Sequence, residues 1–295
     1  FVYDEQVQGN WRKSELPFPG AIFRRTEISR KTFARLKEKM GRRFFNQEYF
    51  DKWQFWKRAS TDERIKSYLP ETTNNIDIDH LDTFIKAYQG VYLKPKNGSR
   101  GKRVHYIEKD AQMYVIRKNY ENKEWLLTRA EMEIFLSKHR SCLIQQPIHL
   151  QSYENRKVDY RVSLQKNGHG TWQCTGMIAR FGKIHGITSN FKARGFAMEG
   201  VAGLKKQFGY DELNAFKKYR EIIQICIQLA EKMDEIGAYA DFGIDVGIDN
   251  KEKVWVIEMN KRPDHNLPLL INNQEMYYHV KSNPVLFARY VAMGN

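Results

Sequence analysis

Apolar positions along this chain switch between two periods, and the switches mark its elements. Phe33, Leu36 and Met40 share one helical face, with Ser29 ahead and Gly41 behind, which predicts a helix over 32–40. The aromatic-rich stretch 51–60 and the stretch 78–88 read as two more helices, separated by the breaker Leu69-Pro70-Glu71-Thr72. From Val91 onward a period of two takes over. Strands are predicted over 91–94, 103–107 and 112–116, then a helix over 129–138. Strands over 142–146, 157–165, 172–181 and 186–189 follow, read together as an antiparallel meander. An amphipathic helix over 212–236 carries Phe216, Ile223, Ala230 and Met233 on one stripe and stops at Gly237. A hairpin and a helix over 274–293 close the chain. With no internal repeat and no low-complexity tract, the order is α+β: a small mixed lobe, then a larger antiparallel sheet backed by helices.

Composition narrows the function classes. The 295 residues are 41% apolar and 13% aromatic, enough for two or three lobes with a sizeable core. No apolar run approaches the roughly 20 residues that span a bilayer. The chain opens on Phe1 without a signal-peptide pattern and without an initiator Met, which reads as part of a longer polypeptide. Cys142, Cys174 and Cys226 are odd in number and lack CxxC spacing, so neither a disulfide framework nor a zinc knuckle is expected and a reducing compartment fits. Lysine and arginine total 49 against 35 acidic residues, a net charge of +14, which points to an anionic partner. The basic residues are spread along the chain and carry no nucleic-acid-binding motif, so a basic nucleic-acid binder ranks last among the function readings.

Four clusters carry candidate chemistry. The runs 240–249 and 254–260 flank Asn250-Lys251-Glu252-Lys253, and a four-residue hairpin loop would set Asp245 across from Glu258. Asn260 shares the Glu258 face at i+2, so two carboxylates and an amide oxygen could hold Mg²⁺; a solvated hairpin has the same pattern. In Lys94-Pro95-Lys96-Asn97-Gly98-Ser99-Arg100-Gly101, the glycines could bend the backbone around a phosphate while Lys94 supplies charge. An ordinary glycine-rich β-turn looks alike. Around Pro147, which has no N–H, the Gln146 carbonyl and the Ile148 amide match the edge of adenine, as would any edge strand ended by proline. Asp159 and Arg161 share a strand face, and Arg180 ends the next strand; together they suit either a phosphoryl clamp or a structural ion pair.

The order of these clusters resembles the ATP-grasp superfamily, and more narrowly its YheC/YheD-like, endospore-coat-associated branch. The resemblance rests on Phe45-Asn46, Phe50-Asp51-Lys52-Trp53, Tyr68-Leu69-Pro70-Glu71-Thr72, Tyr92-Leu93-Lys94-Pro95, Gln145-Gln146-x-Ile148, Asp159-Tyr160-Arg161-Val162, Gly176-x-Ile178-Ala179-Arg180, Gly243-Ile244-Asp245 and Ile257-Glu258-x-Asn260-x-x-Pro263, across about residues 45–265. It implies two α+β subdomains clasping a nucleotide between antiparallel sheets, with 1–50 a remnant of a pre-grasp domain, 51–148 the first subdomain and 149–295 the second. It also implies ATP with Mg²⁺ (or Mn²⁺), and a carboxylate activated as an acyl-phosphate for attack by an amine. Lys52 and Lys94 would hold the α- and β-phosphates, with Gly98, Ser99 and Gly101 covering the β- and γ-phosphates. Gln146 and Ile148 would read adenine and Asp159 would face ribose or substrate. Arg161 and Arg180 would be catalytic; Asp245, Glu258 and Asn260 would bind metal. In the acceptor-side loop Thr188–Gly195, Ser189 stands where that branch has threonine and Arg194 where it has glycine. The resemblance places the protein in the cytoplasm, associated with the spore coat, and the charge favours an acidic peptide or coat component as substrate. The rival expectation is a structural coat protein that retains nucleotide binding without catalysis.

Overall fold

The computed structural model describes residues 2–3, 11–12, 17–98, 103–118, 124–184 and 195–294. Helix α1 (Arg30–Met40) begins where the Ser29 side chain accepts from the Thr32 amide and ends at Gly41 with φ 53, a left-handed value that glycine adopts without strain. Helix α2 (Lys52–Ala59) starts in a reciprocal capping box between Asp51 and Gln54, which fixes where Lys52 leaves the helix.

The first sheet gathers β1 (Thr72–Thr73), β2 (Val91–Pro95), β3 (His105–Asp110), β4 (Met113–Lys118), β5 (Glu124–Leu127) and β6 (Cys142–Gln145) in the order β1-β6-β2-β3-β4-β5. Helices α3 (Ile78–Tyr88) and α4 (Arg129–Ser137) cover one face. Their Leu81, Ile85, Met132 and Leu136 bury against Val91, Leu93, Ile107 and Ile144. Strand alternation therefore turns Tyr92 and Lys94 to the opposite face.

The second sheet runs β9-β8-β7-β10-β11, from β7 (Arg156–Lys166), β8 (Trp172–Ile184), β9 (Phe196–Glu199), β10 (Asp241–Ile248) and β11 (Val254–Asn260). Helices α5 (Gly200–Phe208) and α6 (Glu212–Asp234) pack on Val158, Tyr160, Val162 and Leu164 of β7, and this core reaches back across the chain to Phe50, Phe55 and Leu69. The other face of β7 carries Asp159, Arg161, Ser163 and Gln165, all buried. Buried polar groups have to be paired internally, and Asp159, Arg161 and Gln165 are, with Arg180, Asp245 and Asp241. Helix α7 (Gln274–Ala292) covers part of it, with Gln165 donating to the Val280 carbonyl at 2.9 Å.

The fold is α+β, as expected, and differs from the sequence reading at four points. Cys142–Gln145 does not join the meander; it inserts between β1 and β2 of the first sheet, because its partners are distant in sequence. Strand β5 and helix α5 escape the periodicity reading: β5 is an exposed edge, and α5 contains Gly203, pressed close against Ala179. On α6 Ala230 and Met233 of the expected stripe are buried, together with Ala215, Ile222, Cys226 and Leu229, whereas Phe216 is exposed. The strand expected over 186–189 lies outside the described residues. Among the described residues no helix is long and apolar enough to cross a membrane.

Candidate active site

The β10–β11 hairpin sets Asp245 opposite Glu258, the expected pair, although the turn differs from the expected one. Ile248 pairs with Val254, so the loop is one residue longer than four, and a bulge beside Asp245 and Val246 restores the register. Bulges re-aim side chains; here the bulge brings Asp245, Glu258 and Asn260 back to one cleft face.

Two strands aim guanidiniums at Asp245 and a third adds an amide. Arg161, its cross-strand partner on β7, grips it bidentately at 2.5 and 2.8 Å. Arg180, opposite Asp159 on β8, grips Asp159 at 2.7 Å through two nitrogens and reaches Asp245 Oδ1 at 2.8 Å. Asn260 Nδ2 stands 3.4 Å from Asp245 Oδ2. Gly243 makes room for this arrangement, since a Cβ there would meet Pro263 at 2.7 Å and Arg161 Cδ at 3.3 Å. Burial pushes the Asp245 carboxyl up, but the two guanidiniums outweigh it and hold it below the ordinary range. Burial likewise works against the Arg180 charge, and Asp159 and Asp245 reverse it.

The lysines arrive from the other side of the cleft. Lys52 Nζ lies 3.2 Å from Glu258 Oε1 and donates to the Gly98 carbonyl at 2.8 Å. Gly98 has φ 126, open to glycine and strained for other residues, so the turn after β2 presents its carbonyl to that ammonium. Lys94 donates to Gln145 Oε1 at 2.6 Å, and burial lowers its pKa to about 8 against the opposing pull of Glu258. A lysine that loses charge near neutral pH gives binding a sign. The affinity for a polyphosphate should fall by up to about tenfold per pH unit above 8, because the ligand must then recruit a proton to Lys94. Titration calorimetry between pH 7 and 9.5 checks this, and Lys94→Met should flatten the profile.

Beside Lys94 a cavity of about 420 Å³ opens between the sheets, lined by Tyr92, Val104, Tyr106, Pro147, Ile148, Leu150 and Lys157 among others. Ile148, expected to read adenine through its amide, is part of this lining. The Gln146 amide is already committed to the Glu71 carbonyl at 2.8 Å, and its side chain accepts from the Glu71 amide at 3.1 Å. The structure brings together Lys52, Lys94, Gly98, Asp159, Arg161, Arg180, Asp245, Glu258 and Asn260. Asp159 is engaged by Arg180. Ser99, Gly101 and the loop over 188–194 lie outside the described residues. The structure also places Gln145, Tyr92 and Lys157 at the cleft, residues to which the sequence reading gave no role. The i, i+2, i+4 row Lys157-Asp159-Arg161 was the available signal for Lys157.

The donor set suits a hard divalent cation: two carboxylates and an amide, with Glu258 30% accessible at its side chain. Among the described residues no three acidic, histidine or cysteine side chains converge at one point. An ion here would therefore share Asp245 with the arginines, compete with Lys52 for Glu258, and complete its shell with water and phosphate oxygens. The cation row opposite, with an aromatic-walled cavity at one end, suits a nucleoside polyphosphate.

A family model for YheC/D-like ATP-grasp proteins matches residues 41–291. The chain belongs to the YheC/D-like ATP-grasp family. It is 25% identical over 279 residues to the endospore coat-associated protein YheD of Bacillus subtilis (strain 168), an alignment covering 88% of this chain and 60% of YheD. It is 20% identical over 296 residues to the endospore coat-associated protein YheC of the same organism, covering 91% of this chain and 77% of YheC. The chain thus spans 60% of the length of YheD. ATP-grasp membership points to ATP-dependent ligase chemistry, and proteins of this fold typically use ATP and Mg²⁺.

Proposed function

We propose that this protein is an ATP- and Mg²⁺-dependent carboxylate–amine ligase that works through an acyl-phosphate, with its site residues in the roles that the family resemblance implies. The observation that carries this reading is the meeting, around one cleft, of Lys52, Lys94, Arg161 and Arg180 with Asp245, Glu258 and Asn260. When bound, ATP supplies the phosphoryl group and the divalent ion neutralises charge on it. Like charges crowded into a cleft repel by about 4 kcal/mol per pair at 4 Å and an effective dielectric near 20. Lys52 and Lys94 offset that repulsion at the phosphates, and Arg161 and Arg180 offset it where the acyl-phosphate develops. Asp245, Glu258 and Asn260 hold the ion, and Asp159 holds Arg180 in place for that role. Ile148 and Gln146 orient the base.

The substrate class we favour is an acidic peptide or coat component, since the chain carries +14. We also infer a cytoplasmic site of action in association with the coat, from the printed names of YheD and YheC. Those same names favour one rival: a structural coat protein that binds nucleotide without turning it over. Two measurements separate the readings. Mg²⁺ and ATP at about 100 times Kd should stabilise the fold by about 2.7 kcal/mol. ADP release in a screen of carboxylates and amines should then identify the substrates. No stabilisation sinks both readings; stabilisation with no ADP release across a broad screen leaves the structural one.

A further inference from the structure

One cation of the cleft is left unused by the arrangement above. Lys157 lines the cavity between the sheets, two residues before Asp159 and four before Arg161 on β7. It therefore shares their face, roughly 13 Å along the strand from Arg161. Most of the neighbouring cations have an acid at hand: Lys52 has Glu258, Arg161 has Asp245, Arg180 has Asp159 and Asp245, and Arg117 has Glu108. Lys157 makes no ion pair among the described residues. Among the described residues no carboxylate lines its cavity, whose other walls are Tyr92, Tyr106 and aliphatic or basic side chains. Burial holds its ammonium below the usual lysine range, with no acid to counter it, and its charge acts on Lys94 as a repulsion.

A partly desolvated ammonium without a counter-ion costs folding energy, and an anion brought in from outside relieves that cost. A neutral acceptor, such as a ring nitrogen or a ribose hydroxyl, would leave the charge uncompensated. Lys157 lines the aromatic-walled cavity, the charges of Lys157 and Lys52 both act on Lys94, and Lys52 pairs with Glu258, so the three lysines link the cavity to the acidic end of the cleft. Building on the nucleotide reading of this cleft, we propose that Lys157 is a nucleotide-binding residue that holds an anionic oxygen of the phosphate nearest the nucleoside. It makes the cleft select nucleotides over nucleosides.

The test is calorimetry of AMP and adenosine with the wild-type protein, Lys157→Met and Lys157→Arg, with ATP as a reference ligand and thermal melting as the check on folding. Wild type should bind AMP roughly ten- to a hundredfold more tightly than adenosine, the range of a charge-assisted contact. Lys157→Met should lose most of that ratio with adenosine affinity unchanged, and Lys157→Arg should keep it. An equal loss for AMP and adenosine, or no change for either, overturns the proposal while the nucleotide reading stands on the ATP arm. Wild-type protein that binds no ATP removes the nucleotide reading and this inference together.

Discussion

Asp245→Ala should cost about 3–5 kcal/mol of folding stability, the range for removing one partner of a buried ion pair. Asp245 is 8% exposed and accepts from both guanidiniums of the cleft. Alanine would leave Arg161, itself 9% exposed, without a carboxylate, while Arg180 keeps Asp159. Urea denaturation reads the effect as a lower midpoint at unchanged slope. Asp245→Asn keeps the shape and two acceptor lone pairs, so it should cost less. A loss under about 1 kcal/mol for the alanine variant would mean that water already relieves the arginines, and that the network is solvated instead of buried.

Turnover should respond as sharply at the rim of this network. Once an acceptor is known, Arg180→Ala and Glu258→Ala should each reduce ADP release by about a hundredfold or more, the scale on which single charge-stabilising groups act. The two variants differ in what they leave behind. Arg180→Ala strands Asp159 beside Asp245 and should also weaken stability. Glu258→Ala frees Lys52, and because Glu258 is 30% accessible at its side chain it should leave folding nearly unchanged. Near-normal turnover in a folded Glu258→Ala protein would take that residue out of the site. If Glu258→Ala loses activity and Lys52→Met does not, the ion pair is not what matters and the carboxylate acts on its own.

Local rules made much of this legible. Ser29 and Gly41 bracket α1 because caps act within a few residues. Period-two alternation set Asp159 and Arg161 on one side of β7 and Val158 and Tyr160 on the other, and the structure follows it. The Asp245–Glu258 pairing was also readable, although for an incomplete reason. A four-residue loop and a five-residue loop followed by a bulge lead to the same pair, and loop counting does not distinguish them.

What escaped was set by partners remote in the chain. Cys142–Gln145 has a strand's pattern, but which sheet accepts it depends on β1 and β2, about 50 to 70 residues earlier. Phe216 fits a helical stripe as well as Cys226 does; which of them is buried depends on which face of α6 packs against the second sheet. Asp159 and Arg180 could be named as charged residues but not as partners, because their pairing requires β7 and β8 in one particular register.

By itself the sequence determined which residue types exist and which local face each occupies: the lysine before the glycine turn, the acid–arginine row on β7, the Glu-x-Asn end of the hairpin. Those follow from backbone geometry, which repeats within a few residues. The tertiary structure alone decided which charges meet. It joined Arg161 and Arg180 to one carboxylate, gave Glu258 to Lys52, and left Lys157 facing a cavity without an acid among the described residues. Pairing energies fall steeply with distance, so they appear only once distant strands have been brought side by side.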